Sequence, residues 1–434
     1  MKIAYIAAGA AGMYCGSCIH DNTAAVALRR LGHDVVLIPT YPPLRTDEED
    51  ISIDRVFYGA VNVFLQQKSR LARRLPKPLH WLLDRPALLH WVSRFAGSTD
   101  ASELGDLTLS VLQGENGPQQ RELAALCDWL EHDFRPDVVH ITNSLFLGMV
   151  RELRRRLRVP VVVAFQGEDL FLDGLTPVWQ QRVVAEMRAR AGEVDAFVAP
   201  SRVYAEKMAD LVGVPATKVH VIPLGLNLAG HESTQPPTAR GPGVTIGFLS
   251  RLCPEKGLHL LVDAFLRLAR EPGGEDLHLA VAGWLGERDR PFFEAQRQKL
   301  AAAGLLDRFR HAGEVDLAGK VGFLESLDVF SVPSVYRESK GLPMLEALAH
   351  GVPVVVPDHG SLPEMITATG GGLLVVPESV DSLTAGLRRL IQDPDLRHRL
   401  GAAGREAVQR DWSDDRMAER LVGVYEGIQP LSER

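Results

Sequence analysis

The sequence predicts an α/β protein built from two Rossmann-like domains that face each other across a cleft. Apolar runs of strand length alternate with helical segments along most of the chain, which is the pattern of parallel sheets made of βαβ units. The chain has 434 residues, which is too many for one ordinary domain. A segment rich in Pro, Gly and polar residues, Asn227 to Gly243, separates two series of strands and is predicted to link the domains.

Each half of the chain contains five predicted strands. In the first half they are Ile3 to Ala7, Val35 to Pro39, Val138 to Ile141, Val161 to Phe165 and Ala196 to Ala199. In the second half they are Thr245 to Leu249, Leu277 to Ala282, Val329 to Val332, Val352 to Val356 and Gly372 to Val375. Open α/β sheets bind ligands beside the carboxyl ends of their strands, so functional residues are expected in the loops that follow these strands.

Composition restricts the class of protein. Hydrophobic residues make up 46% and charged residues 24% of the sequence, which is typical of a globular protein with a sizeable core. A formal net charge of −7 argues against a general nucleic-acid binder. The four cysteines are too few and too scattered for a disulfide framework, and no apolar window is long enough for a transmembrane helix. A reducing, cytoplasmic location is therefore expected.

Two glutamates near the end of the second half form the most informative motif. Glu338 and Glu346 are separated by a Gly-Leu-Pro turn, Gly341 to Pro343, and a helix is predicted from Met344 to His350. This prediction places Glu346 in the first helical turn, where the helix dipole favours an anionic side chain. Carboxylates accept paired hydrogen bonds from vicinal diols, so the two could hold two parts of one polyhydroxylated ligand. The alternative is two solvated carboxylates around a helix start.

With this motif the sequence resembles the retaining glycosyltransferases of family 4, nucleotide-sugar enzymes with the GT-B fold. Their signature is Glu-x7-Glu, which Glu338 and Glu346 match. Three further stretches agree in order and spacing: Arg251 to Gly257, Val221 to Asn227 and the terminal helix Trp412 to Tyr425. The resemblance implies that Glu338 binds the donor hexose and Glu346 the nucleotide ribose, beside a turn made of Gly341, Leu342 and Pro343. It also implies that the last helix, Asp414 to Ile428, crosses back to the first domain.

Arg251 and Lys256 lie in the loop between the first strand of the second domain and a helix predicted to begin near Leu258. Two cations beside a helix N-terminus suit a diphosphate whose charge grows as a sugar leaves, without a metal ion. The family pattern has an Arg and a Lys with the same separation. An exposed basic loop is the alternative. Asp393-Pro-Asp395 resembles the metal-binding Asp-x-Asp of other transferases, but it is predicted to cap the following helix.

The first loop, Gly9 to Cys18, joins the first strand to a helix. Glycines allow close approach of the backbone to a ligand, and the helix N-terminus favours an anion. The spacing differs from the dinucleotide-binding G-x-G-x-x-G pattern, which weakens a dehydrogenase interpretation. In family 4 the equivalent loop borders the donor phosphate, and Gly16 is the matching position. Cys15 and Cys18 alone do not make a zinc site, so packing is the expected role of this pair.

One position departs from the family pattern. Many members have a His-Gly pair near the donor sugar, where this chain has Gln166-Gly167. Glutamine forms hydrogen bonds but does not titrate, so it is predicted to contact the donor without acid/base catalysis. The next residues, Glu168 and Asp169, could bind acceptor hydroxyls or cap a helix. Two residues at the end of the third predicted strand, His140 and Asn143, could line the acceptor pocket, although a strand-end His often has a structural role.

A basic segment, 68–94, carries six further Lys or Arg residues after Lys68 against a single Asp84, interleaved with Trp81 and Trp91. Basic and aromatic residues together are typical of an anionic membrane surface. The alternative is a helical insert that buries its tryptophans and exposes its arginines. Peripheral membrane contact through this segment is therefore one of two hypotheses.

The expected function is transfer of a hexosyl group from a nucleoside diphosphate sugar to a hydroxyl acceptor with retention of anomeric configuration, without metal or cofactor. The expected domains are 1–227, with a helical insert over about 66–135, then 244–411 and a crossover helix at 412–434. A sugar-nucleotide epimerase of the same fold is an alternative, which would need acid/base carboxylates near the sugar. A catalytically silent sugar-nucleotide binding protein is another.

Overall fold

The computed structural model describes residues 1–9, 16–40, 44, 46, 48–53, 55, 57, 104–229, 231 and 243–428. The chain divides into two compact units, the first made of Met1–Gly225 with Asp415–Arg434 and the second of Leu226–Asp414. The basic segment 68–94, with its predicted membrane contact, lies outside the described residues. So do the first part of the predicted insert and most of the predicted linker.

The first unit is built on a parallel six-stranded sheet in the order β2-β1-β3-β4-β5-β6. Its strands are β1 (Lys2–Ala7), β2 (Asp34–Pro39), β3 (Val138–Ile141), β4 (Val161–Ala164), β5 (Ala196–Ala199) and β6 (Val219–Val221). Alternate residues of β1 enter different cores, with Ile3 and Tyr5 on one face and Ala4 and Ile6 on the other. The sheet is therefore buried on both faces, as its nearly continuous apolar strands predict.

Among the described residues of the first unit, seven helices precede its last strand. They are α1 (Gly16–Arg30), α2 (Gly105–Leu112), α3 (Gln120–Trp129), α4 (Val150–Leu157), α5 (Glu168–Asp173), α6 (Pro177–Ala191) and α7 (Arg202–Val212). Helix α1 packs in the core that contains Tyr5, while α2, α3, α4 and α6 contribute to the core on the opposite face. Helices therefore cover both faces of the sheet, as in a doubly wound fold.

The second unit repeats this plan with a parallel six-stranded sheet in the order β12-β11-β10-β7-β8-β9. Its strands are β7 (Val244–Leu249), β8 (Leu277–Ala282), β9 (Phe309–Gly313), β10 (Val329–Phe330), β11 (Val354–Pro357) and β12 (Gly372–Val375). Its helices are α8 (Leu258–Leu268), α9 (Arg290–Ala302), α10 (Leu317–Glu325), α11 (Leu342–Ala349), α12 (Leu362–Thr369), α13 (Val380–Gln392) and α14 (Pro394–Asp411).

The final helix, α15 (Asp414–Gly427), packs in the first unit. Met417, Leu421 and Tyr425 are buried there with Tyr5 and the N-terminal strands. The predicted fold class is therefore confirmed: there are two Rossmann-like sheets, and a C-terminal helix returns to the first.

All ten predicted strands are present, with ends that differ by at most two residues. Two further strands, β6 and β9, were not predicted, and both lie at the edges of their sheets. Edge strands are buried less and carry more polar residues, so their apolar signal is weak. One prediction about a helix was wrong: α11 begins at Leu342, two residues before the predicted start. Glu346 is therefore its fifth residue and lies beyond the first turn.

Candidate functional site

Sheet topology brings two loops of the second unit together. Strands β7 and β10 are neighbours in the sheet. The strands that follow β7, which are β8 and β9, extend the sheet on one side, and those that follow β10, which are β11 and β12, extend it on the other. The loops at their carboxyl ends, 250–257 and 331–341, therefore meet at the topological switch point where α/β sheets bind ligands. The Val335 N–H donates to the Glu255 carbonyl oxygen across 2.9 Å and joins the two loops.

Lys256, Tyr336 and Glu338 form one hydrogen-bonded cluster at this point. The Lys256 Nζ lies 2.6 Å from the Glu338 Oε2 and also donates to the Tyr336 hydroxyl oxygen. The Tyr336 hydroxyl in turn donates to Oε2 across 2.8 Å. The side chains of Lys256 and Glu338 are only 10% and 12% exposed, so this ion pair is largely shielded from water.

Two opposing effects act on the Glu338 carboxyl. Burial raises its pKa, but the Lys256 charge and the hydrogen bonds from Lys256 and Tyr336 outweigh burial, and the pKa is lowered overall. Burial and the neighbouring Glu338 charge raise the pKa of Tyr336. At neutral pH the cluster therefore consists of an ammonium, a carboxylate and a neutral phenol that donates to the carboxylate.

The hydrogen bonds of Glu338 converge on one of its two oxygens. Lys256, Tyr336 and, at 3.5 Å, Ser334 all donate to Oε2. Within the part of the chain that the structure describes, Oε1 accepts no hydrogen bond. Because a carboxylate has about four acceptor positions, Glu338 keeps the capacity to bind the hydroxyls of a ligand.

Glycines shape both loops at this site. Gly257 has φ +76° and is the N-cap residue of α8, and a Cβ there would lie 1.9 Å from the Pro333 carbonyl oxygen. Gly341 has φ +65° and is the N-cap residue of α11, followed by Leu342 and Pro343 in the first turn. Other residues would be strained at both positions, so the close approach of the two loops depends on glycine.

Glu346 is buried on α11, and its Oε1 lies 2.6 Å from the Nζ of Lys320 on α10. The two side chains are 6% and 10% exposed. The sequence analysis did not identify Lys320, because nothing in the pattern of α10 distinguishes this lysine from an exposed one. Tyr336 was also missed, although its position just before Glu338 could have indicated it.

Arg251, the remaining predicted cation, is exposed in the loop after β7. Burial raises the pKa of Tyr336, and it raises the pKa of Cys253 to about 11. The positive charge of Arg251 partly opposes both increases. Arg251 therefore acts electrostatically on the same cluster. The structure thus brings Arg251, Lys256 and Glu338 together in the second unit.

Gln166 lies in a buried network of the first unit. Its Nε2 donates to the Asp21 Oδ1 across 2.9 Å and to the Thr142 Oγ1 across 2.8 Å. The Thr142 hydroxyl also donates to Asp21, across 2.6 Å. Both amide N–H groups of Gln166 are therefore used inside the protein. Its predicted contact with the donor stays a prediction.

The two acidic residues that follow are also held internally. Oε1 of Glu168 accepts from the Ser144 N–H and hydroxyl, and Oε2 accepts from the Gln166 N–H and the Tyr204 hydroxyl, all within 3.1 Å. Burial raises the pKa of Glu168, and these donors oppose the rise. Asp169 binds Lys207 across 2.6 Å and accepts from Tyr204. Both carboxylates therefore join neighbouring elements of the first unit.

The remaining predicted residues of the first unit have the following positions. His140 is buried, stacks on Tyr5 at 4.3 Å and forms a 2.8 Å hydrogen bond with the Tyr425 hydroxyl. Burial lowers the pKa of His140 to about 3, so its imidazole is neutral. Asn143 accepts from the Leu145 N–H and begins a short 3₁₀ helix. Gly16 is exposed at the start of α1. The roles predicted for these residues in acceptor and donor binding stay predictions.

Other predictions concern metals and membranes. Asp393 accepts from the Leu396 N–H and begins α14, which confirms its predicted capping role. Over the described ranges, the structure contains no group of three or more His, Cys, Asp or Glu residues that could hold a metal ion. Within the same ranges, no helix has both the length and the apolar character needed to cross a membrane. Cys15 lies outside these ranges, and Cys18 is buried.

Two family models and a relative identify the family of the chain. The family model described as "Glycosyl transferases group 1" matches residues 232–407, and that of the "Glycosyl transferase 4-like domain" matches residues 22–225. The MMP alpha-(1->4)-mannosyltransferase of Mycolicibacterium hassiacum is 31% identical over 302 residues, which cover 67% of this chain and 70% of that protein. The chain belongs to the family 4 glycosyltransferases.

A second relative in this family is the phosphatidyl-myo-inositol mannosyltransferase of Mycobacterium leprae. It is 34% identical over 215 residues, which cover 48% of this chain. The chain spans about half the length of this relative, 53%.

Solved structures show the family's GT-B fold over nearly the whole chain. Sucrose-phosphate synthase from Thermosynechococcus elongatus superposes with a TM-score of 0.68 at 19% identity, and 98% of each chain is covered. Anabaena HepE in complex with UDP superposes with a TM-score of 0.67 at 15% identity, and the match covers 98% of this chain and all of that one. At these identities the likeness concerns the fold alone.

Proposed function

We propose that this protein is a retaining glycosyltransferase that moves a hexosyl group from a nucleoside diphosphate sugar to an acceptor hydroxyl without a metal ion. The observation that carries the proposal is the Lys256, Tyr336 and Glu338 cluster at the switch point of the second sheet. It combines a cation suited to a diphosphate with a carboxylate whose Oε1 is available to a sugar hydroxyl. Glu346 supplies a second carboxylate on the adjoining helix for the ribose.

The chemistry follows from these charges. As the bond between the anomeric carbon and the diphosphate oxygen breaks, its electron pair stays on that oxygen. Lys256 and Arg251 stabilise the growing negative charge, which a metal ion would otherwise do. The acceptor hydroxyl adds on the same face of the sugar, and its proton passes to the departing phosphate oxygen. No protein base is needed for this step, which agrees with a glutamine at position 166 and a neutral, buried His140.

The acceptor end of the reaction is proposed to involve the first unit. Gly16 would border the donor phosphate, and Gln166 would lie near the donor sugar. Asn143, at the carboxyl end of β3, is partly exposed and keeps a side-chain amide group that could donate to a hydroxyl. His140, Glu168 and Asp169 would act indirectly, because their polar groups bind other residues of the unit.

The relatives' names indicate which donors to test first. One relative is named as a mannosyltransferase that depends on GDP-mannose, and a solved structure contains UDP-glucose. Thermal unfolding would be measured with GDP-mannose, UDP-glucose, UDP-galactose and ADP-glucose, since a ligand that binds only the folded state raises the unfolding temperature.

The donor that stabilises the protein would then be incubated with an alkyl glycoside and with inositol as acceptors, and the product analysed by NMR. An α-linked product from an α-linked donor is expected. A β-linked product would overturn retention. Epimerised sugar nucleotide without transfer would identify an epimerase instead, and stabilisation by none of the four donors would count against the proposal as a whole.

A further inference from the structure

The function proposed above leaves one member of the buried cluster without a role. Tyr336 lies between the other two members: its hydroxyl oxygen accepts from Lys256, and its O–H donates to the Glu338 Oε2 across 2.8 Å. The Lys256 ammonium also lies 4.8 Å from the centre of the Tyr336 ring, within the range of a cation–π contact. Tyr336 precedes the Glu-x7-Glu motif and is not part of it, so the family pattern does not explain it.

A bound nucleoside diphosphate would compete with these partners for Lys256. An ammonium has three N–H donors, and two of them are directed at Tyr336 and Glu338. The negative diphosphate attracts the same ammonium, and its charge also disfavours the ionised form of a nearby carboxyl. The Glu338 carboxylate therefore loses part of its stabilisation at the step in which the sugar is transferred.

The Tyr336 hydroxyl is the donor that can replace this loss. Among the three described donors to the Glu338 Oε2, Ser334 is the most distant, at 3.5 Å, which is the limit for a hydrogen bond. The 2.8 Å distance of Tyr336 is that of a well-formed O–H···O bond. Burial and the Glu338 charge raise the pKa of Tyr336, so its phenol stays protonated. It can therefore hold Oε2 when the diphosphate draws Lys256 away.

We propose that Tyr336 is a positioning residue that keeps the Glu338 carboxylate in the orientation needed for the donor sugar while Lys256 binds the diphosphate. This inference rests on the proposed function, because it takes Lys256 as a phosphate ligand and Glu338 as the sugar ligand. It predicts that the Tyr336 hydroxyl contributes more in the complex with the donor than in the free enzyme.

Other charged or titratable groups surround this pair and affect its pH dependence. Besides Lys256, the groups that act on Glu338 or Tyr336 electrostatically are Lys340, Arg251 and Cys253. From the loop after β11, the His359 Nε2 lies 3.0 Å from the Ser334 carbonyl oxygen. Histidine is the residue type that ordinarily titrates nearest to neutral pH, so the test includes a variant at position 359.

The test compares wild type with Tyr336→Phe, which keeps the ring beside Lys256 and removes the hydroxyl. Transfer is measured from about pH 4 to about pH 9 with whichever of GDP-mannose, UDP-glucose, UDP-galactose and ADP-glucose serves as donor. At pH near 7, kcat should fall about 10-fold, while the KM for the donor should stay within about twofold. The acid limb of the kcat profile should move to higher pH by about one unit, because the hydroxyl no longer favours the ionised carboxyl of Glu338.

The two kinetic profiles separate a role in the complex from a merely structural one. The pH dependence of kcat reports groups of the enzyme–substrate complex, and that of kcat/KM reports groups of the free enzyme, in which Lys256 binds Glu338. The shift should therefore be larger for kcat than for kcat/KM. A structural defect would lower both quantities at every pH without moving either acid limb.

Two variants serve as controls. Tyr425→Phe removes a buried hydroxyl that forms an equally short bond, 2.8 Å, with His140 in the first unit, and it should not move the acid limb of kcat. His359→Gln keeps a side-chain N–H donor but does not titrate, and the acid limb should persist in it.

A second change at position 336 keeps the test possible if Tyr336→Phe does not fold. Fluorine makes a phenol a stronger hydrogen-bond donor and hardly alters its shape. With 3-fluorotyrosine in place of Tyr336, the acid limb of kcat should therefore move in the opposite direction, to lower pH.

The outcomes distinguish this inference from the proposed function. Transfer from none of the four donors by wild type would mean that the proposed function fails, and the inference fails with it. If wild type is active, an acid limb of kcat that both changes at Tyr336 leave in place would overturn the inference alone. Equal shifts in kcat and kcat/KM, or an acid limb that disappears in His359→Gln, would overturn it in the same way.

Discussion

Carboxylates at the carboxyl ends of the two sheets are held in different ways. In the second unit, Glu338 and Glu346 are each paired with a lysine. In the first unit, hydroxyls and backbone N–H groups hold Glu168, while Asp169 beside it binds Lys207 across 2.6 Å. Four hydrogen bonds fill the acceptor capacity of Glu168, whereas the bonds of Glu338 converge on one oxygen.

The difference separates groups that can bind a ligand from groups that hold the scaffold. A carboxylate with all its acceptor positions used by the protein joins the elements that donate to it. A carboxylate with a cation on one oxygen keeps its charge and part of its acceptor capacity, and its cation can also bind a phosphate. On this comparison we expect Glu338 and Glu346 to bind the ligand, whereas Glu168 joins neighbouring elements of the first unit.

The largest expected effect comes from the motif glutamates. Glu338→Ala should lower turnover by roughly 10²- to 10³-fold, because its hexose contacts change on the way to the transition state. Glu346→Ala should mainly raise the KM for the donor, because ribose contacts are the same in the ground and transition states. Steady-state kinetics with the identified donor measure both. Equal effects of the two substitutions on kcat and KM would contradict this division of roles.

The substitution Glu168→Ala tests whether Glu168 stabilises the first unit and does not bind the donor. Glu168→Ala leaves the N–H groups of Ser144 and Gln166 without their acceptor, while the Tyr204 hydroxyl can still donate to Asp169. It should therefore reduce the free energy of unfolding by about 2–4 kcal/mol, measured by urea denaturation. Donor affinity of the folded variant should stay within about twofold of wild type. A loss of affinity without a loss of stability would assign Glu168 to the ligand site instead.

The two glutamates should also respond to pH in opposite directions. The folded-state pKa of Glu338 is lowered, so its contribution to stability is present above the unfolded pKa, about 4.3, and is lost as pH falls through the folded value. The folded-state pKa of Glu168 is raised above its unfolded pKa. Ionised Glu168 therefore destabilises the folded state at neutral pH, and this destabilisation is lost as pH falls through the folded pKa toward the unfolded pKa.

Urea unfolding of wild type, Glu338→Gln and Glu168→Gln from about pH 7 to about pH 3 measures this difference. As pH falls, wild type should lose stability relative to Glu338→Gln and gain stability relative to Glu168→Gln. Changes of the same sign for both variants would show that the two environments do not differ as described.

The smallest expected effect is that of a chelator. Because Arg251 and Lys256 supply the positive charge beside the diphosphate, the transfer rate should be the same with and without EDTA. The control is Lys256→Met, which should lose activity in both conditions. Loss of wild-type activity in EDTA with recovery on adding Mg²⁺ or Mn²⁺ would show that the cationic loop does not replace a metal ion.

Most of the fold could be predicted from the sequence because buried parallel strands are nearly continuous apolar runs. The strands β6 and β9 escaped prediction because edge strands are short and partly polar. Arg251 and Lys256 were predicted from their place after a strand and from the family pattern, and Glu338 from the glutamate motif; the sheet topology then brings Lys256 and Glu338 together. The start of α11 was placed two residues late because the Leu342-Pro343 pair was assigned to the turn, although Pro is favoured in a first helical turn.

The partners of the site residues could not be predicted in this way. Lys320 reaches Glu346 from a separate helix, and Asp21 reaches Gln166 across 145 residues of sequence. Such pairs depend on how helices pack on the sheet, which periodicity does not specify. Helix α4 shows the same limit. Its run of arginines resembles a basic patch in the sequence, but Arg151, Arg154 and Arg156 each form an ion pair with an acidic residue.

A crystal structure with the nucleoside diphosphate that binds most tightly tests the central claim most directly, since it shows which carboxylates contact the ligand. We predict that the diphosphate lies within hydrogen-bond distance of Lys256 or Arg251, and that the ribose hydroxyls donate to Glu346. Glu168 should keep its bonds to Ser144, Gln166 and Tyr204. A diphosphate bound away from the loop 250–257, or a ribose without contact to Glu346, would contradict the account.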